Sequence, residues 1–173
     1  MRKLAILIIL VATAAVALPQ QMQMPKTSGP QSDAQKAFEK LKTLAGSWEG
    51  TYMGISMRMT IRVTSTGNAI LHEVTASGRP DDPITMIYVD GDRLLLTHFC
   101  DSGNRPRMQG KLSPDGNTVT FDFLDVSGNA EEFLMHDIVF TMVDADHHIE
   151  AFTYSVNGKP PFRAPAIQLQ RTK

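Results

Sequence analysis

Met57-Arg58-Met59-Thr60-Ile61-Arg62-Val63-Thr64 sets an apolar side chain at every second position with a polar one between. That is the period of a strand with one face buried and the other in water. Upstream, Ser47 to Met53 repeats the pattern, with Trp48, Gly50 and Tyr52 sharing a face. Downstream, Thr66-Gly67-Asn68 turns the chain into Ala69 to Ala76, Pro80 to Pro83 breaks it, and Ile84 to Val89 resumes it. Asp90-Gly91-Asp92 is hairpin chemistry leading into Arg93 to Cys100. After the loop Asp101-Ser102-Gly103-Asn104 come Pro106 to Leu112, the turn Ser113-Pro114-Asp115-Gly116-Asn117, and the apolar face of Val119, Phe121 and Phe123. Ser127 to Glu132 reads as loop or one helical turn. His136 to Val143 and His148 to Val156 flank the turn Asp144-Ala145-Asp146; Asn157-Gly158 turns again, and Ala166 to Arg171 closes the series.

About ten short strands at a spacing of roughly 8–12 residues, with turn chemistry between them, make an all-β domain. Strands this regular favour an antiparallel up-and-down meander, and a meander loses its two exposed edges when it closes into a barrel. A sandwich is the competing arrangement. One helix precedes the strands: Ser32 is an N-cap with Gln35 as capping-box partner, Phe38, Leu41 and Ala45 share a face, and Gly46 stops the helix near Leu44.

The 173 residues suffice for one domain with a real core. Residues 1–17 carry the pattern of a secretory signal peptide. Arg2 and Lys3 precede an uncharged run from Leu4 to Leu18, and Ala15-Val16-Ala17 offers small residues for cleavage after Ala17. The alternative, a membrane anchor, needs about 20 apolar residues, longer than this run. No Cys follows the run to carry a lipid, and no second hydrophobic span appears, so the chain after cleavage is expected in the periplasm or outside the cell with no stable membrane insertion. Residues 18–31, rich in Gln, Met, Pro, Ser and Gly, read as a flexible linker, and residues 32–173 as the barrel domain. Loss of Arg2 and Lys3 leaves 15 basic and 18 acidic side chains, which excludes the basic excess of a nucleic-acid binder. Cys100 is the single cysteine, so no internal disulfide forms.

At Gly46-Ser47-Trp48-Glu49-Gly50-Thr51-Tyr52 the sequence resembles the calycins, the superfamily of lipocalins and fatty-acid-binding proteins. Those barrels open with a short helix and a Gly-x-Trp whose Trp closes the barrel bottom, with an Arg of the last strand across it. The resemblance implies these structural roles for Trp48 and Arg171. The run Asp90 to Cys100, then Gly103-Asn104-Arg105-Pro106-Arg107-Met108, and Met135-His136 before a strand, resembles a family of exported bacterial barrels of unknown function. That likeness covers nearly all of the chain after Gly46 and implies a fold without an activity. The ten-stranded nitrobindin type also begins with Gly-x-Trp-x-Gly, but its proximal histidine lies near the C-terminal end. Here no histidine follows His148, so haem by that route is not implied.

His98 and Cys100 stand two apart on one strand and share a face, His72 is in phase with Ile70 and Val74, and His136 with Ile138 and Phe140. If all face inward, His72, His98, Cys100 and His136 converge as an imidazole–thiolate group able to hold zinc, copper or haem iron. The alternative is a set of separately satisfied buried histidines and an inert thiol. The loop from Asp101 to Arg107 reads as a barrel mouth where Asn104 and Arg107 orient an anionic group, or as a plain hairpin loop. Asp137, Asp144, Asp146 and Glu150 read as a solvated hairpin end. No Gly-x-Ser-x-Gly, EF-hand or phosphate loop is present, so no catalytic residue is assigned.

The leading expectation is a binding module that encloses a small apolar or amphipathic ligand, with Met, Phe and Leu as contacts and His98 or Arg107 fixing orientation. An enzyme or metal protein using the His/Cys interior, and a filled structural barrel, are the alternatives. Cofactor and oligomeric state stay open.

Overall fold

The computed structural model describes residues 30–79 and 82–172. The signal peptide expected at 1–17, nearly all of the linker, and Pro80-Asp81 of the expected break lie outside the described residues.

The helix α1 (Asp33–Lys42) starts where the capping box places it: Ser32 Oγ accepts from the Gln35 backbone N–H and Gln35 Oε1 from that of Ser32, each at 3.2 Å. It ends at Lys42, two residues short of the expected Leu44, because the Thr43 backbone N–H and hydroxyl both donate to the Lys40 carbonyl and cap it early. Ala34, Ala37, Phe38 and Leu41 are buried and join one core cluster with barrel residues. The helix packs on the fourth, fifth and sixth strands.

The strands are β1 (Gly46–Tyr52), β2 (Ile55–Thr64), β3 (Ala69–Ala76), β4 (Ile84–Asp90), β5 (Arg93–Phe99), β6 (Arg105–Leu112), β7 (Thr118–Ser127), β8 (Phe133–Met142), β9 (His147–Val156), β10 (Phe162–Arg163) and β11 (Ile167–Arg171). From β1 to β9 each pairs antiparallel with the next; β9 then pairs with β11, and β11 with β1. Ten strands therefore close an antiparallel barrel behind one short helix, and the sandwich is excluded. The two-residue β10 extends the far end of β9, at Tyr154 and Thr153. Prolines 160, 161 and 165 crowd it so closely that no alternation marks it in the sequence.

Hairpin chemistry is matched locally. Asn157 and Gly158 both take left-handed backbone, with φ of 51° and 67°, which an Asn-Gly pair adopts at little cost. β8 begins at Phe133, earlier than the expected His136. A bulge between Met135 and Asp137 breaks the alternation there and hides the strand's first residues from a period-two reading.

The packed core fills one end of the barrel. Trp48 is wholly buried, its indole N–H donating to the Leu44 carbonyl at 2.8 Å. The Arg171 guanidinium carbon lies 4.0 Å from the Trp48 ring centroid, while its nitrogens donate to the carbonyls of Ala45, Thr43 and Ala145. The first strand, the last strand and the end of α1 are thus tied at one point.

Candidate functional site

β3, β4 and β5 are ladder neighbours, and their register sets His72 opposite Thr85 and Thr85 opposite His98. Paired residues point to the same face, so His72, Thr85 and His98 form one inward row. All three are buried. One step toward the helix end, the paired row of Ile70, Ile87 and Leu96 is packed solid. Toward the other end, packing stops. A cavity of about 700 Å³ opens there, lined by Met57, Met59, Val74, Met135, Phe152 and Tyr154, with the His72–Thr85–His98 row at its floor.

The floor's polar groups are held by partners. Thr85 Oγ1 and His98 Nδ1 are 2.8 Å apart, which leaves His98 Nε2 as the nitrogen toward the cavity. Burial, reinforced by the charge of His72, pushes His98 down to about 4, so its imidazole is neutral near pH 7. Behind His72, Glu150 reaches across from β9. Its Oε1 is 2.9 Å from His148 Nε2 and 3.2 Å from His72 Nε2; the latter contact is close enough for an ion pair but not aligned as a hydrogen bond. Burial raises the Glu150 carboxyl, but His72 and His148 outweigh it and hold the group below its ordinary range. His148 in turn packs edge-on against Trp48, with ring centroids 4.2 Å apart. Glu150 Oε2 and the Nδ1 atoms of His72 and His148 are buried without a protein partner.

At the rim, Arg79 forms an ion pair with Asp101. Burial raises the Asp101 carboxyl, yet the Cys100 thiol and Arg79 together keep it below its ordinary value. Burial pushes the Tyr154 phenol up, so it faces the cavity as an uncharged hydroxyl.

The residues singled out in the sequence divide. His72, His98 and Cys100 all line the cavity. Cys100 lies near the rim, where Ser102 Oγ donates to its sulfur at 3.0 Å. His136 does not join them. The bulge gives the cavity position to Met135 and leaves His136 half-buried against Phe123, ring centroids 4.7 Å apart. Among the described residues, no three His, Cys, Asp or Glu groups stand close enough to hold a metal, so the four-residue cluster does not assemble. Asn104 is fully buried but braces the rim: its amide donates to the Asn129 carbonyl at 2.8 Å and to Ser102 Oγ at 3.0 Å. Arg107 is exposed and turned away from the cavity, its Nε donating to Asp125 at 2.7 Å.

Glu150 corrects the reading of a solvated hairpin end: it is 0% exposed. His148, Glu150, Phe152 and Tyr154 sit at every second position of β9, a period-two signal that places all four on one face. The alternation was present in the sequence, but a carboxylate near an acidic turn masked it.

No protein-family model and no curated sequence matches the chain. Solved structures do. The chain is similar to Rv2717c from M. tuberculosis at 19% identity and a TM-score of 0.58, covering 79% of this chain and 98% of that one. It is also similar to a protein of unknown function from the DUF3598 family of Nostoc punctiforme PCC 73102, at 12% identity and a TM-score of 0.53, over 84% of this chain. The chain spans about half of that second protein, 53% of its length. At these identities the likeness shows the fold alone, a β-barrel.

Proposed function

We propose that this chain is an exported binding barrel that holds one small, largely apolar molecule in its interior. The observation that carries the reading is where packing stops. The core is solid up to the Ile70–Ile87–Leu96 row, and beyond His72, Thr85 and His98 the barrel encloses an open chamber of about 700 Å³. Ligand pockets of roughly 300–1,000 Å³ with apolar walls and a few convergent polar groups are the usual form of a small-molecule site. A filled structural barrel would have no such chamber. A thiol enzyme would pair Cys100 with a histidine, whereas its sulfur is bonded to Ser102 and Asp101. Export is supported by the signal-peptide pattern of residues 1–17.

The test is titration of the protein lacking residues 1–17 with N-phenyl-1-naphthylamine, a neutral apolar dye that fluoresces on leaving water. A saturable, one-to-one enhancement supports the reading. Val74→Trp, which fills the chamber from β3, removes that enhancement while the protein still unfolds cooperatively. A dye that never saturates, or that binds the Val74→Trp variant equally well, rejects an interior site.

A further inference from the structure

We propose that the chamber selects its ligand by charge, taking a molecule whose polar end is an uncharged hydrogen-bonding group, such as an alcohol, and rejecting the matching carboxylate. The inference rests on the binding reading above and adds the ligand's chemical class.

The two imidazoles, the Tyr154 phenol and the rim ion pair point the same way. His98 presents Nε2 at the floor with Nδ1 engaged by Thr85, a buried, neutral imidazole. A neutral imidazole nitrogen can exchange a hydrogen bond with a hydroxyl, but it carries no charge to offset a carboxylate. His72, on the other side of Thr85, has its Nε2 turned to the Glu150 carboxylate, so any positive charge it gains is already matched by that anion. The Tyr154 phenol is uncharged. Among the described residues, the one guanidinium at the chamber, Arg79, is bound to Asp101. An anion entering here would leave water and meet no unmatched cation among the described residues, and such burial is strongly unfavourable. A hydroxyl would lose its water but regain a hydrogen bond at His98 Nε2. The methylene tail then runs past Val74, Met57, Met135 and Phe152 toward the mouth.

The experiment displaces N-phenyl-1-naphthylamine at pH 7.5 with three ten-carbon probes: decan-1-ol, decanoate and decylammonium. The expected order places decan-1-ol at least tenfold ahead of both ions. Decanoate competing as well as the alcohol, or decylammonium competing better, overturns the assignment. His98→Leu is the second arm. It lowers decan-1-ol affinity about fivefold relative to dye affinity, the loss of one ordinary hydrogen bond. An equal ratio of alcohol to dye affinity in the wild type and His98→Leu also overturns the assignment. Failure of the dye itself to bind rejects the binding reading, so the two failures are distinguishable.

Discussion

Glu150 on β9 and His72 on β3 meet inside the barrel, Oε1 to Nε2 at 3.2 Å, although their strands share no ladder. The pair is a strut across the lumen, and its burial makes it sensitive to the loss of either end. Removing one partner of a buried ionic contact typically costs about 3–5 kcal/mol, because the other is left uncompensated. Glu150→Ala is expected to lose stability in that range by urea unfolding. A change under about 1 kcal/mol would mean that the histidines find water in its place.

His98 sets an acid limit. Its folded value of about 4 lies below the ordinary 6.5, chiefly through burial and then the charge of His72, so the unfolded chain binds the proton more readily. Stability from this group is complete above pH 6.5 and is lost as the pH falls toward 4. The steepest loss is about 1.4 kcal/mol per pH unit and the total about 3 kcal/mol. Glu150 adds a further loss below its ordinary 4.5, since its folded carboxyl is held lower still. Urea midpoints measured from pH 7.5 to 4 should slope for the wild type and flatten for His98→Gln.

Arg171 fastens the closed end. Its guanidinium stacks on Trp48 and donates to the carbonyls of Ala45, Thr43 and Ala145. Arg171→Ala should cost about 2–3 kcal/mol, from one cation–π contact and the hydrogen bonds together. Arg171→Lys should recover less than half of it, because an ammonium cannot span several carbonyls in one plane. Thermal unfolding of the three proteins gives the ranking.

Gly110 on β6 is a packing requirement. A Cβ there would lie 2.6 Å from Leu94 Cδ2 and 2.7 Å from Phe121 Cε1, both in the buried core. Gly110→Val should destabilise by about 1–3 kcal/mol through overpacking. Leu94→Ala on the same background should return part of that loss, while the same change in the wild type is destabilising.

Asn104 ties two rim loops. Its amide holds the Asn129 carbonyl and the Ser102 hydroxyl from a fully buried position. Asn104→Ala should cost about 1–3 kcal/mol, as expected when buried partners lose their donor. Amide exchange should quicken at residues 128–133 and stay unchanged on β2 and β3. Protection retained in that loop would show that it is held by other contacts.

The strand alternation of Met57 to Thr64 and the capping box at Ser32 are local, so the sequence carried them in plain view, and with them the barrel's element order. That His72 shares a face with Ile70 and Val74, and His98 with Cys100, was legible for the same reason, but which face turns inward was not, because both strands are apolar on either side. Two other parts were not legible either. A bulge is one extra residue with no compositional mark, and at Met135/Asp137 it moved His136 off the cavity. Glu150 was misplaced because its burial depends on histidines from β3 and its own strand, and only the closed barrel brings β3 and β9 together.

Closure has a consequence for how the chain folds. The register Trp48↔Arg171, Glu49↔Gln170 and Gly50↔Leu169 joins segments at opposite ends of the domain. Until Ile167–Arg171 arrives, both β1 and β9 present unpaired edges, the kind of surface that recruits strands from other molecules. Contacts this distant in sequence form slowly, on the millisecond-to-second scale typical of non-local β topologies. The same five residues that complete the wall thus decide how long a half-formed barrel stays open to its neighbours.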